Sequence, residues 1–505
     1  MNASELCRSI LRDKNLREYG DLAGRLPFLD DHELHDHLEE RSSLLDKASR
    51  LGALTCYNGT KIDCRSLSPG CIACAEGTWS CLFINGICNA RCFYCPSEQK
   101  EPGLPVTNTL EFPDPREYIA YLERFGFTGV SISGGEPLLS FERSLRYIAA
   151  IRRHFGNRMY IWLYTNGILL TREKLEKLKD SGLDEIRFDI GATGYKTDKP
   201  EMAAGIIPVV TVEIPAIPED HDRVNDLIPK LAAAGVKHLN LHQLRLTEFN
   251  APQLLKRGYK FIRGNKITVA GSEITALKLL AGVLEQKKDL PVNYCSFVYK
   301  NRFQGRAARL RTASIACRPW EDITAAGYIR SLFISGDEDV LKGLAEKLEN
   351  AGEVSGGWQL SGQGRQLFIR SPLLDITGVP GPAALNIRYY DTRFTGAVTY
   401  RYPYTEIRLT GRRKLFVERI QCLADYPAAG AERELFTRLF PGDSFMGRVN
   451  SGDTGVFPGA NSKVAGISPA DEFSMIDALG LPAGKKETWL KILDFERPGM
   501  GFQEW

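Results

Sequence analysis

The sequence predicts an α/β protein: an incomplete, six-stranded (βα)6 relative of the TIM barrel, with an N-terminal cysteine-rich element and a C-terminal α+β domain. Three observations predict it. From Thr78 to about Val292, short apolar runs alternate with helical patterns, the signature of parallel βα units. Eight of the twelve cysteines crowd into Cys56–Cys95, where the first of those units begins. Beyond Cys317 the alternation gives way to shorter mixed runs. A length of 505 residues holds two or three domains. The expected division is residues 1–55 (helical), 56–81 (a cysteine-rich auxiliary metal element), 82–325 (the partial barrel) and 326–505 (α+β).

Residues 1–55 read as charged helices, with Leu34, Leu38, Leu44 and Leu45 of Asp31–Ala48 on one rough apolar face. His32, His35 and His37 lie among Asp30, Asp31 and Glu33, which reads as a solvated helix start rather than a metal site. The expected barrel strands are Cys81–Asn85, Gly129–Ser133, Met159–Tyr164, Glu185–Ile190, Val209–Ile214 and His238–Leu244. Between the first two, Asp114-Pro115 with Glu117 supplies an N-cap, a first-turn proline and a capping-box partner, and Gly126 sits where a C-cap belongs. Thr171 opens another helix, Leu175 and Leu178 face inward, and Gly182 ends it. In parallel βα folds the working residues gather at the C-terminal ends of the strands. In the last domain, Tyr328–Ile334 reads as a strand, Asp337–Glu349 as a helix, and Asn450–Gly466 as a Gly-rich loop. No nucleotide-binding loop or catalytic triad is legible in residues 326–505.

Composition narrows the partners and the compartment. A hydrophobic content of 43% with 25% charged residues is that of an ordinary soluble protein, and a net charge of +3 gives no electrostatic case for nucleic acid. The start, Met1-Asn-Ala-Ser-Glu-Leu-Cys7, lacks the basic and apolar regions of a signal peptide. The most apolar stretch, Ala203–Pro218, is broken by Pro208, Glu213 and Pro215 and is too short to span a bilayer. A cytoplasmic location is therefore expected, where clustered cysteines mean metal ligation more often than disulfides.

Two motifs carry the chemistry. Cys88, Cys92 and Cys95 are spaced C-x₃-C-x₂-C on one short segment. Three such thiolates can hold three irons of a [4Fe–4S] cluster and leave the fourth open, whereas a structural cluster takes four. By themselves they also suit part of a zinc site. Some forty residues on, the β-branched run Gly129–Ser133 ends in Gly134-Gly135-Glu136-Pro137, a turn whose backbone can approach a ligand and whose carboxylate can accept an ammonium. Together the two motifs resemble the radical S-adenosylmethionine (radical SAM) superfamily. The resemblance implies that the three cysteines bind the cluster and that Gly134, Gly135 and Glu136 receive the methionine amino group of SAM. It further implies SAM contacts at Tyr94 (adenine), Thr165, Asn166, Arg187 or Asp189, and Glu213. In Leu239-Asn-Leu-His-Gln243, His242 resembles the histidine that lies near the adenine in glycyl-radical activating enzymes. Over about residues 70–317 the chain resembles uncharacterised proteins related to pyruvate formate-lyase activating enzymes. The implied activity is reductive SAM cleavage to a 5′-deoxyadenosyl radical that abstracts hydrogen from a peptide or protein, a small molecule or a lipid. A low-potential electron donor of flavodoxin or ferredoxin type and an anaerobic or strongly reducing setting go with it.

The remaining cysteines form a second candidate. Cys56, Cys64, Cys71, Cys74 and Cys81 precede the radical loop, and four thiolates suffice for a second [4Fe–4S] cluster, a mononuclear iron or a structural zinc. Cys295 or Cys317 can join from downstream. The basic segment Tyr294–Arg311 reads as an amphipathic helix with a solvated face, with an anion contact near the barrel mouth as the alternative. Two other function classes remain open from sequence: a tRNA-modifying radical enzyme such as a methylthiotransferase, and a non-catalytic iron–sulfur or zinc protein.

Overall fold

Apolar runs too short to make helices, each closed by a polar residue or a glycine, become strands of one open sheet. In this computed structural model, residues 3–57, 59–63, 65–351, 356–378, 384–441 and 469–497 are described. The chain divides into two compact units, one holding Arg8–Gln304 and the other the residues up to Cys7 together with most of those from Gly305 onward. Nine strands of the first unit run side by side: β1 (Leu54–Cys56), β2 (Lys61–Asp63), β3 (Trp79–Phe83), β4 (Gly129–Ser133), β5 (Tyr160–Thr165), β6 (Glu185–Phe188), β7 (Val209–Pro215), β8 (His238–His242) and β9 (Val292–Cys295). They lie in the order β1-β2-β9-β8-β7-β6-β5-β4-β3. Every pair from β3 to β9 is parallel. Val130, Ile132, Ile161, Leu163, Val212, Leu239 and Leu241 are fully buried along it and supply the core.

The expected fold class stands, with additions. A seventh parallel strand, β9, follows the six; its four residues include Asn293, so no apolar run announced it. β2 pairs antiparallel with β9, setting Lys61 opposite Cys295. Residues of the cysteine-rich element thus share the barrel sheet. β6 stops at Phe188 rather than Ile190 because the Asp189 carboxylate accepts the Gly191 N–H and turns the chain.

The helix Asp31–Arg50 (α1) begins with a full capping box between Asp30 and Glu33. His32 and His35 pair with Asp36 and Glu39 one turn on, at the surface. The helix Pro69–Glu76 (α2) is capped by the Ser68 hydroxyl on the Cys71 N–H and stopped by Gly77 at φ 71°. α2 is pressed against the strands. A Cβ on Gly129 would stand 2.9 Å from that of Ala73, and one on Gly70 would stand 2.4 Å from the Arg187 guanidinium. Only glycine admits this packing.

In the second unit, the expected strand and helix appear as Ile329–Ser335 and Glu338–Asn350 within an antiparallel sheet. Its buried charges are paired among themselves: Arg330 with Glu496 at 3.0 Å, and Arg419 with Glu321. The solvated face expected over Tyr294–Arg311 is not there. Arg302, Arg306 and Arg311 are buried, and the segment folds as β9, a π-helical turn (Tyr299–Gln304) and a helix (Gly305–Ala316). Asn450–Gly466 and Cys64 lie outside the described residues. Among the described residues no helix is long and apolar enough to cross a membrane.

Candidate active site at the C-terminal strand ends

A cavity of about 330 Å³ opens at the C-terminal ends of the parallel strands. Cys88, Cys92 and Cys95 line it from the loop after β3, and Gly134–Pro137 from the turn after β4. Thr165 and Asn166 reach it from β5, Arg187 and Asp189 from β6, and Glu213 from β7. The sequence-predicted residues are thus gathered in one place, His242 excepted; it stands behind Glu213, with Nε2 2.7 Å from Oε1.

The cysteine loop is held by polar neighbours. The Ala90 N–H donates to Cys88 Sγ at 3.3 Å, and the Gln99 amide donates to Cys95 Sγ at 3.0 Å. Asn166 Nδ2 donates to Asn89 Oδ1 at 2.8 Å and lies 3.6 Å from Cys88 Sγ. Burial pushes the Cys92 thiol up to about 12. Three thiols on one loop, facing a cavity rimmed by polar groups, fit an iron–sulfur cluster with one iron turned toward a ligand. Among the described residues no three His, Cys, Asp or Glu side chains share a single coordination sphere, so these thiols would close on a metal as it binds.

The Gly-Gly-Glu-Pro turn works differently from the sequence expectation. Gly134 adopts φ 138°, and a Cβ there would stand 2.4 Å from the Asn85 carbonyl oxygen; one on Gly135 would stand 2.0 Å from that of Ile87. The close approach the glycines allow is therefore to the chain's own segment leading into the cysteine loop. Glu136 is 1% exposed. Its Oε1 accepts from the Leu138 N–H (2.9 Å) and the Thr165 hydroxyl (2.8 Å), and its Oε2 from the Asn166 N–H (2.8 Å). The carboxylate ties the end of β4 to the end of β5. Burial nevertheless raises its pKa, with the three hydrogen bonds acting against the rise.

Tyr94, expected near an adenine, donates its hydroxyl to Asp189 at 2.8 Å. Burial pushes the Asp189 carboxyl up to about 6, against the Tyr94 and Gly191 hydrogen bonds. Arg187 is spent on internal contacts: Nε to Glu185 and Nη1 to Glu213, both at 2.8 Å, and Nη2 to the Ser68 hydroxyl at 2.9 Å. Glu213 also accepts from Asn240 Nδ2 at 2.9 Å. Burial alone would raise the Glu213 pKa, but His242 and Arg187 hold it well below the usual carboxylate range. Lys300 Nζ, which can only donate, lies 3.0 Å from His242 Nδ1, so Nδ1 accepts and Nε2 carries the proton given to Glu213.

Sequence reasoning missed Asn85, Asn240 and Lys300. Asn85 Nδ2 donates to the Glu136 carbonyl at 2.9 Å; a single Asn after a strand gives no signal of that role. Asn240 stood inside a quoted strand, and its inward polar position was the available clue. The auxiliary candidates separate. Cys81 lies on β3 and lines the cavity, and Cys56 is half-buried on β1. Cys71 and Cys74 sit on α2, in a part of the barrel they share with Cys295.

The chain matches the family model described as the Radical SAM superfamily over residues 82–237. A protein of Methanocaldococcus jannaschii, provisionally named a glycyl-radical enzyme activating enzyme, is 34% identical over 296 residues, which cover 56% of this chain and 78% of that protein. A GTP 3′,8-cyclase of Campylobacter jejuni is 28% identical over 203 residues, 40% of this chain and 60% of its own length. Among solved structures, Streptococcus suis SuiB bound to S-adenosylmethionine aligns with a TM-score of 0.33 at 12% identity, over 60% of this chain and 67% of SuiB.

Proposed function

Because this chain belongs to the radical SAM superfamily, we propose that it cleaves SAM reductively and takes a hydrogen atom from a protein or peptide substrate. The observation that carries the reading is the meeting of Cys88, Cys92 and Cys95 with the Gly134–Pro137 turn around one cavity. The three cysteines hold the [4Fe–4S] cluster. When bound, cluster and SAM supply the difficult chemistry, an electron into the sulfonium and a 5′-deoxyadenosyl radical.

The chain's own residues position and enclose. Asn166 and Gln99 orient the cysteine loop from two sides. Glu136 fixes Thr165 and Asn166 at the rim, which leaves the backbone of Gly134 and Gly135 and the free edges of the rim residues to meet SAM. Tyr94, closed onto Asp189, walls the cavity on the far side. A low-potential flavodoxin or ferredoxin supplies the electron, and a reducing cytoplasm suits the open cluster. The protein class of substrate rests on the name of the M. jannaschii relative.

The test is an anaerobic assay of reconstituted, reduced protein. SAM should yield 5′-deoxyadenosine and methionine, and a backbone-deuterated protein substrate should pass deuterium to the 5′-deoxyadenosine. Iron-loaded protein that forms neither product would refute SAM cleavage. Cleavage in which deuterium passes only from small molecules or lipids would refute the substrate class.

A further inference from the structure

We propose that Cys71, Cys74 and Cys295 form a second, thiolate-held metal centre inside the barrel, taking an iron–sulfur cluster, iron or zinc, with Lys61 as its counter-charge. The set narrows the one the sequence offers: Cys295, one of the two downstream candidates, enters from β9, while Cys81 belongs to the SAM cavity and Cys56 to the sheet edge. The proposal does not depend on SAM cleavage.

Three independent features point there. First, each sulfur has an amide N–H donor of its own: Asn240 Nδ2 to Cys71 at 3.3 Å, Gln304 Nε2 to Cys74 at 3.0 Å, and Asn293 Nδ2 to Cys295 at 3.6 Å. Three amides, from β8, β9 and the π-helical turn, reach three thiols from α2 and β9, which, like the loop thiols, do not yet share one coordination sphere and would close on a metal as it binds. Amide N–H···S contacts are the outer-shell pattern that orients and tunes thiolate ligands.

Second, Lys61 is only 4% exposed and has no carboxylate within ion-pair distance among the described residues. Its ammonium donates to Asn293 Oδ1 at 2.6 Å, lies 3.4 Å from Cys295 Sγ, and stands 5.3 Å from the centre of the Tyr299 ring. A buried cation needs an anion. Three thiolates on a divalent metal, or on a cluster core of charge +2, carry one net negative charge, and one ammonium balances it. Binding releases the three thiol protons, so a divalent metal exchanged for three protons leaves one extra negative charge beside the Lys61 ammonium.

Third, the Tyr299 hydroxyl is buried and has no hydrogen-bond partner among the described residues. It lies beside the same group, within electrostatic reach of Cys74, Cys295 and Cys71. An orphaned phenol beside three thiols is accounted for if a sulfide, a thiolate or the metal itself completes the site. The centre also adjoins the SAM cavity: Asn240 bonds Cys71 with one hydrogen-bond and Glu213, which lines that cavity, with another.

The experiment uses the full-length chain carrying Cys88→Ala, Cys92→Ala and Cys95→Ala, prepared anaerobically with iron, sulfide and zinc available. Metal analysis should find about four irons per chain for a cluster, or about one iron or zinc for a mononuclear site. X-ray absorption at that metal's edge should show a sulfur shell, a readout that leaves Cys71, Cys74 and Cys295 untouched. Adding Cys295→Ala to this background should lower metal retention at least about tenfold, the loss expected when coordination is disturbed, while adding Cys317→Ala should leave it unchanged. A metal-free radical-loop variant overturns the proposal. So does a shell of oxygen and nitrogen alone, or equal retention after Cys295→Ala and Cys317→Ala.

Discussion

Two groups of thiols lie in the same unit and are made in opposite ways. Cys88, Cys92 and Cys95 occupy one loop, are half-buried, and face an open cavity. Cys71, Cys74 and Cys295 come from a helix and a strand distant in sequence, and their neighbours are amides, a buried lysine and a buried phenol. In the first group the spacing along the chain is itself the geometry, so the motif could be read directly. In the second, the geometry exists only because β9 pairs with β2 and β8, and because Gly70 and Gly129 let α2 lie against the strands. A local motif announces its chemistry; an assembled one must wait for the topology.

The largest expected effect tests whether the loop alone defines the first group. Cys92→Ala should abolish 5′-deoxyadenosine formation, because two thiolates no longer hold the open cluster. Cys81→Ala, a cysteine of the same cavity but on a strand rather than the loop, should leave the rate within about threefold, since a strand thiol outside the ligand set carries no iron. Equal loss in both variants would merge Cys81 into the ligand set and break the distinction drawn from the loop.

The next effect separates them by charge. Lys61→Met removes a buried ammonium that has no carboxylate partner among the described residues. Without metal, that change should be neutral or stabilising by up to about 4 kcal/mol, as when other buried charges are replaced by apolar groups. With metal bound it should lower the melting temperature, because the anionic centre loses its counter-charge. Thermal melts should therefore show a loss with metal that is absent or reversed without it. A shift of the same sign in both states would leave Lys61 with no part in a metal centre.

How much was legible follows the same divide. The six barrel strands, the capped helices and the two short motifs at Cys88–Cys95 and Gly134–Pro137 were readable because each is encoded within a few residues, whereas Tyr94, Thr165, Asn166, Arg187, Asp189 and Glu213 followed only from the family resemblance. β9 was not, since Val292-Asn-Tyr-Cys295 is short and half polar and is stabilised by partners on both sides. The burial of Arg306 and Arg311 was also hidden, because an arginine-rich helix looks the same in sequence whether its face meets water or protein. Glu136 is the instructive case. Its position was read from the motif, but the sequence did not reveal that its carboxylate is occupied by Leu138, Thr165 and Asn166.

That occupancy yields the third prediction. Glu136→Gln keeps the shape but turns one oxygen into an N–H donor, which then faces other donors. The variant should lose about 1.5–3 kcal/mol of stability, the usual worth of hydrogen bonds to a buried charged group, together with SAM affinity. Denaturant unfolding and SAM titration on the same sample measure both. Weakened SAM binding at wild-type stability would mean that the carboxylate turns away from Thr165 and Asn166 to meet the ligand.

The smallest expected effect is a pH dependence, and it tests the polar chain between the two thiol groups. Burial, reinforced by the neighbouring Lys300 charge, holds the His242 pKa below its ordinary 6.5. His242 is then neutral in the folded protein near neutrality, accepting from Lys300 at Nδ1 and donating to Glu213 from Nε2. Arg187 faces Glu213 from β6 and adds a second positive charge against protonation of the ring. An unfolded histidine takes up its proton near pH 6.5, before the folded one does. Stability from this group is therefore complete above that value and is lost as pH falls toward the folded pKa, with a slope of at most about 1.4 kcal/mol per pH unit for one proton. Asp189, pushed up to about 6, acts in the opposite sense, since the folded protein binds its proton first as pH falls. Glu213, held low, contributes only below the ordinary carboxylate range near 4.5. Wild type must therefore be compared with His242→Gln, which keeps a donor toward Glu213 and does not titrate. The stability of wild type relative to the variant should decline as pH is lowered from 7.5 to 5.5, values that bracket the ordinary histidine pKa of about 6.5. A rise instead would mean that His242 carries its proton and pairs with Glu213 as an ion pair; Lys300 would then have to turn elsewhere, and the hydrogen-bond direction assigned at Nδ1 would be wrong.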